Sequence, residues 1–151
     1  IEQALYIESL YYYNQKYYSR IIEDANMFAN HQGYLMILAI SLIENNKIDS
    51  SLRILSSLSD RGHVEATERL LQLYKDGSSC SEDAQLYAQI AKKAMFQNSA
   101  VGTYSLAMCY LDGYGIEQNT NKAIIYLNKS AEMGYSEAIE MYNLLTKYRN
   151  L

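Results

Sequence analysis

A step of 36 residues recurs along the chain and constrains its fold more than any other feature. Gly102 follows Ala66 by 36 and precedes Ala138 by 36. The same step links Leu70 with Leu106, Tyr74 with Tyr110, Asp76-Gly77 with Asp112-Gly113, and Lys93 with Lys129. Asn26, Gly62, Asn98 and Gly134 also fall on it, and Asn and Gly tolerate the left-handed backbone that ends a helix. A period in the range of roughly 20–50 residues marks stacked repeats, in which each unit buries a face that it cannot bury alone.

Between these stops the apolar residues recur at helical spacing, without strand alternation. Residues 1–13 carry Ala4, Leu5, Ile7, Leu10 and Tyr11, and residues 17–25 carry Tyr18, Ile21, Ile22 and Ala25, with Asn14-Gln15-Lys16 as the turn. A second hairpin runs over 31–44 and 48–61 around Asn45-Asn46-Lys47. Two longer-looped copies follow. Helices over 63–75 and from Ser81, the expected N-cap, to Gln97 make the first. A helix ending at Asp112-Gly113-Tyr114-Gly115 and one capped by Asn119 or Thr120 make the second, and residues 136–149 add a last helix. Proline is absent, so Gly, Asn and polar turns are the only helix breakers. The reading is all-α: a solenoid of helix-turn-helix repeats with about nine helices and no strand. Ala66, Leu70, Tyr74, Leu106, Ala107, Tyr110, Ala123, Tyr126 and Ala131 form the expected core columns.

At 151 residues the length suits one domain, divided as two hairpins over 1–61, two repeat copies over 62–134 and a capping helix over 135–151. The chain is 49% hydrophobic and 20% charged, the balance of a folded protein. Its net charge is −4 and its basic residues are scattered, so the stripe that displaces counterions from a nucleic-acid backbone is missing. The longest apolar run, over residues 34–43, is too short for a membrane span. Lacking an initial Met, Ile1 leaves two compartments open: the cytoplasm, or the periplasm or exterior after removal of a leader. Cys80 and Cys109 lack metal-ligand spacing and read as free thiols, with one disulfide as the alternative.

Leu106-Ala107, Tyr110, Gly113, Gly115-Ile116, Lys122-Ala123, Tyr126, Lys129-Ser130-Ala131-Glu132 and Gly134 together resemble the Sel1-like repeat family. The preceding copy keeps Ala66, Leu70, Tyr74, Gly77 and Ala91 to Ala94 but lacks the second loop glycine, while residues 1–61 are similar to tetratricopeptide hairpins in geometry only. The resemblance implies a right-handed superhelix of helix pairs that binds other proteins, as adaptors of bacterial signalling, secretion and host interaction do.

Chemistry-bearing residues are sparse. His31 and His63 each stand near a helix start, 32 apart and so out of repeat register, and read as solvated helix ends. The Gly113-Tyr114-Gly115 loop has no preceding strand and reads as a turn between helices rather than a phosphate cradle. No catalysis, metal or cofactor is expected. Sixteen tyrosines against two phenylalanines is the unusual composition, and Tyr11, Tyr12, Tyr13, Tyr17 and Tyr18 cannot all face inward. The expected function is protein binding by an adaptor or scaffold; the alternative is an immunity protein that occludes a cognate toxin. In tetratricopeptide-like stacks the first helix of each pair lines the concave face. Its groove positions are Gln32, Met36 and Ala39, then Glu68, Gln72 and Lys75, then Tyr104, Met108 and Leu111. The last row is an apolar stripe expected to have no inward role, which makes Tyr104 and Met108 the expected docking centre, oriented by Glu68 and Gln72.

Overall fold

The computed structural model describes residues 2–23, 31–75 and 83–149. Nine helices and no strand are present among them: α1 (Glu2–Asn14), α2 (Tyr18–Glu23), α3 (Gln32–Glu44), α4 (Ile48–Asp60), α5 (Val64–Lys75), α6 (Ala84–Phe96), α7 (Ala100–Asp112), α8 (Thr120–Glu132) and α9 (Ser136–Arg149). The chain divides into two compact units, Ile1–Ala66 and Thr67–Leu151.

One turn recurs in both units. After α1, α3, α4, α6 and α8 the backbone takes a left-handed residue: Lys16, Asn46, Gly62, Asn98 and Gly134. Each has the paired bonds of a Schellman stop. After α8, for example, Gly134 N–H donates to the Ala131 carbonyl at 2.9 Å and Tyr135 N–H to the Ser130 carbonyl at 3.2 Å. The expected stops at Gly62, Asn98 and Gly134 are therefore present, and Asn26 lies outside the described residues.

In the first unit, Ile21, Tyr34, Ile37, Leu38 and Leu42 form a core with Tyr6, Leu10, Tyr12 and Tyr13 packed against it. Tyr34 is 1% exposed, and its hydroxyl donates to the Ile21 carbonyl, so a polar tip buried between α3 and α2 is satisfied. Ser51 Oγ donates to the Ala39 carbonyl at 2.9 Å and joins α4 to α3 in the same way.

The second unit packs on small residues. A Cβ built on Gly102 would lie 2.2 Å from Ala94 Cβ, so α6 and α7 approach as closely as they do only because position 102 has no side chain. Ala107, Leu127 and Ala138 are fully buried and join α7, α8 and α9, flanked by Tyr104, Tyr126, Tyr135 and Met141. Ser130 Oγ donates to the Ala100 carbonyl at 2.7 Å, a second tie between α8 and α7.

Several expectations need correction. The N-cap of α6 is Asp83, whose Oδ1 accepts from Leu86 N–H at 3.0 Å; Ser81 lies outside the described residues. A carboxylate at that position also complements the helix dipole. Ala66, Leu70, Leu106, Ala107 and Ala123 are buried as expected, but Tyr74, Tyr110, Tyr126 and Ala131 are only half-buried. The tyrosines stop short because a phenol needs water or a partner for its hydroxyl. Tyr110 stacks on Tyr126 with ring centroids 5.7 Å apart, and Lys122 Nζ sits 5.3 Å above the Tyr110 ring. Asn119, one of the two residues proposed for the role, caps α8 by accepting from Lys122 N–H at 2.9 Å.

Candidate protein-binding surface

The first helix of each pair supplies the residues singled out for binding, and each unit treats its row differently. In α3, Gln32 is exposed, but Met36 is 6% exposed and Ala39 wholly buried. This follows from the composition of α3, where apolar side chains occupy nearly every position from 34 to 43 and leave no polar face for a groove.

In the second unit, Glu68 is half-buried and accepts a hydrogen bond from Ser99 Oγ, while Ser99 Oγ accepts from Gly102 N–H at 2.9 Å. Ser99 is the N-cap of α7, so Glu68 holds α5 to the start of α7. Gln72 and Lys75 are exposed along the same helix. Tyr104, Met108 and Leu111 are half-buried on α7. Tyr104 does have an inward role, contrary to expectation: it packs in the cluster around Ala107, Leu127 and Ala138, with its ring 5.2 Å from that of Tyr135.

Electrostatics tie this face together. Burial, then Glu137, then Asp112 push the Tyr104 phenol above its ordinary value. Burial and Glu137 raise Tyr135 likewise. Glu137 is held below the usual carboxylate range, first by the Ser136 hydroxyl, with Lys75 contributing. Tyr87 of α6 is raised chiefly by burial, opposed by a hydrogen bond with Ser105, and its ring meets Tyr114 edge-on at 5.7 Å. Tyr87, Tyr135 and Glu137 were not foreseen as neighbours of Tyr104. Tyr135 sits one step of 36 beyond Ser99, in the column that opens each first helix, and that register was the available signal.

The other candidates take scaffold roles. His31 caps α3, its Nδ1 accepting from Tyr34 N–H at 3.2 Å, and lies 5.1 Å from the Tyr6 ring. His63 is half-buried at the α4–α5 turn. Gly113 and Gly115 both have positive φ, and a Cβ on Gly115 would strike the Ala84 carbonyl, so this loop is shaped to lie on the start of α6. Cys109 is a buried free thiol pushed up to about 11 by burial and Asp112, and Cys80 is outside the described residues. No group of three metal-binding side chains and no helix long and apolar enough to cross a membrane occurs among the described residues.

The Sel1 repeat family model matches residues 100–135, which span α7, its loop and α8. The fold is similar to that of a Sel1 repeat protein from Oxalobacter formigenes, with 25% identity and a TM-score of 0.65 over 72% of this chain. The matched part is 44% of that protein, so this chain spans less than half of its length. The fold is likewise similar to Helicobacter pylori cysteine rich protein B, at 19% identity and a TM-score of 0.61, covering 93% of this chain and 96% of that one. No curated protein matches the chain. Residues 100–135 are thus a Sel1 repeat within a helical-repeat protein.

Proposed function

We propose that this Sel1-repeat chain is a non-enzymatic scaffold that binds a protein partner on the first-helix face of its second unit. The observation that carries the reading is the paired Tyr104 and Tyr135 rings, half-buried near the charge of Glu137, with Met108 and Leu111 half-buried on the same helix as Tyr104. Rigid aromatic rings with wettable hydroxyls, bordered by charges, are the usual composition of interface centres. Tyr104 is half-buried against the cluster around Ala107, Leu127 and Ala138, which pre-organises the ring and lowers the entropy lost on binding. Gln72 and Lys75, both exposed, set the partner's orientation. Glu68 sits behind them and holds α5 in place.

The test uses two variants against a partner recovered from the native host. Gln72→Arg with Lys75→Glu alters only exposed side chains. Tyr104→Ala with Met108→Ala removes the proposed centre and is checked for folding by circular dichroism. Loss of affinity by about tenfold or more in both supports the face. Parent-like affinity in both folded variants places the partner elsewhere.

A further inference from the structure

α9 buries one side and exposes the other. Ala138 is fully buried, and Met141, Tyr142 and Leu145 pack with it against the cluster of Ala107 and Leu127. Over the same stretch Ile139, Glu140, Asn143, Leu144, Lys147 and Tyr148 are exposed. Ile139, Leu144 and Tyr148 are 40%, 49% and 66% exposed, three large hydrophobic side chains on one 14-residue helix. Single apolar residues on a surface need no explanation, but several gathered on one element mark a contact.

The exposed residues form two rows at i, i+4 and i+8: Ile139-Asn143-Lys147 and Glu140-Leu144-Tyr148. Rows of that spacing are the ridges by which two helices interlock. The two rows are also complementary on reversal. When the helix is turned end for end about a point between Asn143 and Leu144, Glu140 meets Lys147 and Ile139 meets Tyr148. Within one helix Glu140 and Lys147 stand about 10 Å apart along the axis, too far to pair with each other. A second helix of the repeat does not fit this face. α7 receives α8 over Ala107, and one step of 36 later α9 carries the exposed amide of Asn143. A helix laid on α9 as α8 lies on α7 would bury that amide at a cost.

We infer that α9 pairs antiparallel with α9 of a second copy of this chain, about a two-fold axis between Asn143 and Leu144. Glu140 of each copy lies opposite Lys147 of the other, and Ile139 opposite Tyr148. Such a contact uses one patch twice, so each ion pair and each apolar pair forms two times. The two Asn143 amides meet across the axis, each with a donor and an acceptor to offer. A helix of this length spans about 21 Å. The contact therefore falls short of the roughly 1,200 Å² of a stable interface, and the dimer is weak and concentration-dependent. Glu140, Leu144 and Lys147 extend by one step of 36 the row of Tyr104, Met108 and Leu111. The contact thus adjoins the face proposed for a partner, and it is tested with no partner present.

The experiment is sedimentation velocity of the whole chain from about 10 µM to about 1 mM, the range in which a contact of this size assembles. The parent should pass from monomer to dimer, and less readily as salt is raised. Lys147→Glu and Glu140→Lys each set like charges opposite one another at two places, and each should weaken the dimer by about tenfold. The double variant, Glu140→Lys with Lys147→Glu, restores both pairs with their signs exchanged and should dimerise like the parent. Only exposed side chains change, and circular dichroism checks that every variant is folded. A parent that stays monomeric throughout overturns the proposal. A parent-like dimer in either single variant also overturns it, as does a double variant no stronger than the singles, because the copies then meet elsewhere or lie parallel.

Discussion

The two units hold the same helix-pair plan together by different means. The first packs one large tyrosine, Tyr34, into an aliphatic core and ties its tip to the Ile21 carbonyl. Its left-handed turns are taken by Lys16 and Asn46, whose side chains cost energy there, and by Gly62. The second brings helices close over Gly102, Ala94, Ala107, Ala123 and Ala138, and its left-handed stops likewise mix a side chain, Asn98, with a glycine, Gly134. Large side chains fill space and tolerate small shifts. Small residues let backbones touch and tolerate almost none.

The comparison can be broken most forcefully at the second unit's core. Leu106 is 1% exposed, and Leu106→Ala should cost about 2–5 kcal/mol in a denaturant melt by leaving a cavity. A cost under about 1 kcal/mol would mean that the small-residue core collapses freely.

Next in size is a matched pair of glycines. Gly102→Ala drives a methyl into Ala94, including its backbone at 3.0 Å, and should cost about 1–3 kcal/mol. Gly33→Ala meets the end of the Tyr6 ring at 2.9 Å, a side chain that can move, and gains helix propensity of up to about 1 kcal/mol. Its melting temperature should stay near that of the parent. Equal losses at the two positions would erase the distinction between the units.

Tyr34→Phe sharpens the account of the first unit. It keeps the ring and strands the Ile21 carbonyl, so stability should fall by about 1–3 kcal/mol. An unchanged melt would show that the ring alone carries this core. Gly134→Ala is smaller, about 1–2 kcal/mol, because nothing lies within 4 Å of the new methyl and only the left-handed backbone objects. If Gly134→Asn is as destabilised as Gly134→Ala, backbone handedness is not the cause.

The smallest expected effect is alkaline. Tyr87, Tyr104 and Tyr135 have phenols raised above 10.0, and Cys109 is raised from 9.0 to about 11. A raised acid stabilises the fold fully below its unfolded value, and that contribution is lost as pH climbs to the folded one. The melting temperature should therefore hold up to about pH 9 and fall between 9 and 11 as the thiol ionises, then further as the phenols do. Cys109→Ala should blunt the first part of the fall. A flat profile to pH 11 would show that these groups stay wet.

The fold's periodicity was legible because it is local and repeated. A left-handed stop needs only Gly or Asn at one position, and a helix needs only spacing, so Gly62, Asn98 and Gly134 and the columns through Ala66, Leu70 and Leu106 could be read directly. Only the tertiary structure decided the rest. Whether Tyr110 is buried or half-buried depends on Tyr126 and Lys122, which arrive from another helix. Glu68 has the pattern of a surface residue until Ser99, 31 positions later, is brought against it. Met36 has the register of a groove residue, but α3 has no polar side to turn outward, and the residue is packed inside. The gathering of Tyr87, Tyr104 and Tyr135 has the same origin. Period and turn chemistry act within a few residues of the chain. Partial burial is set by which neighbouring helix covers each side of a ring, and that is settled only when the helices pack.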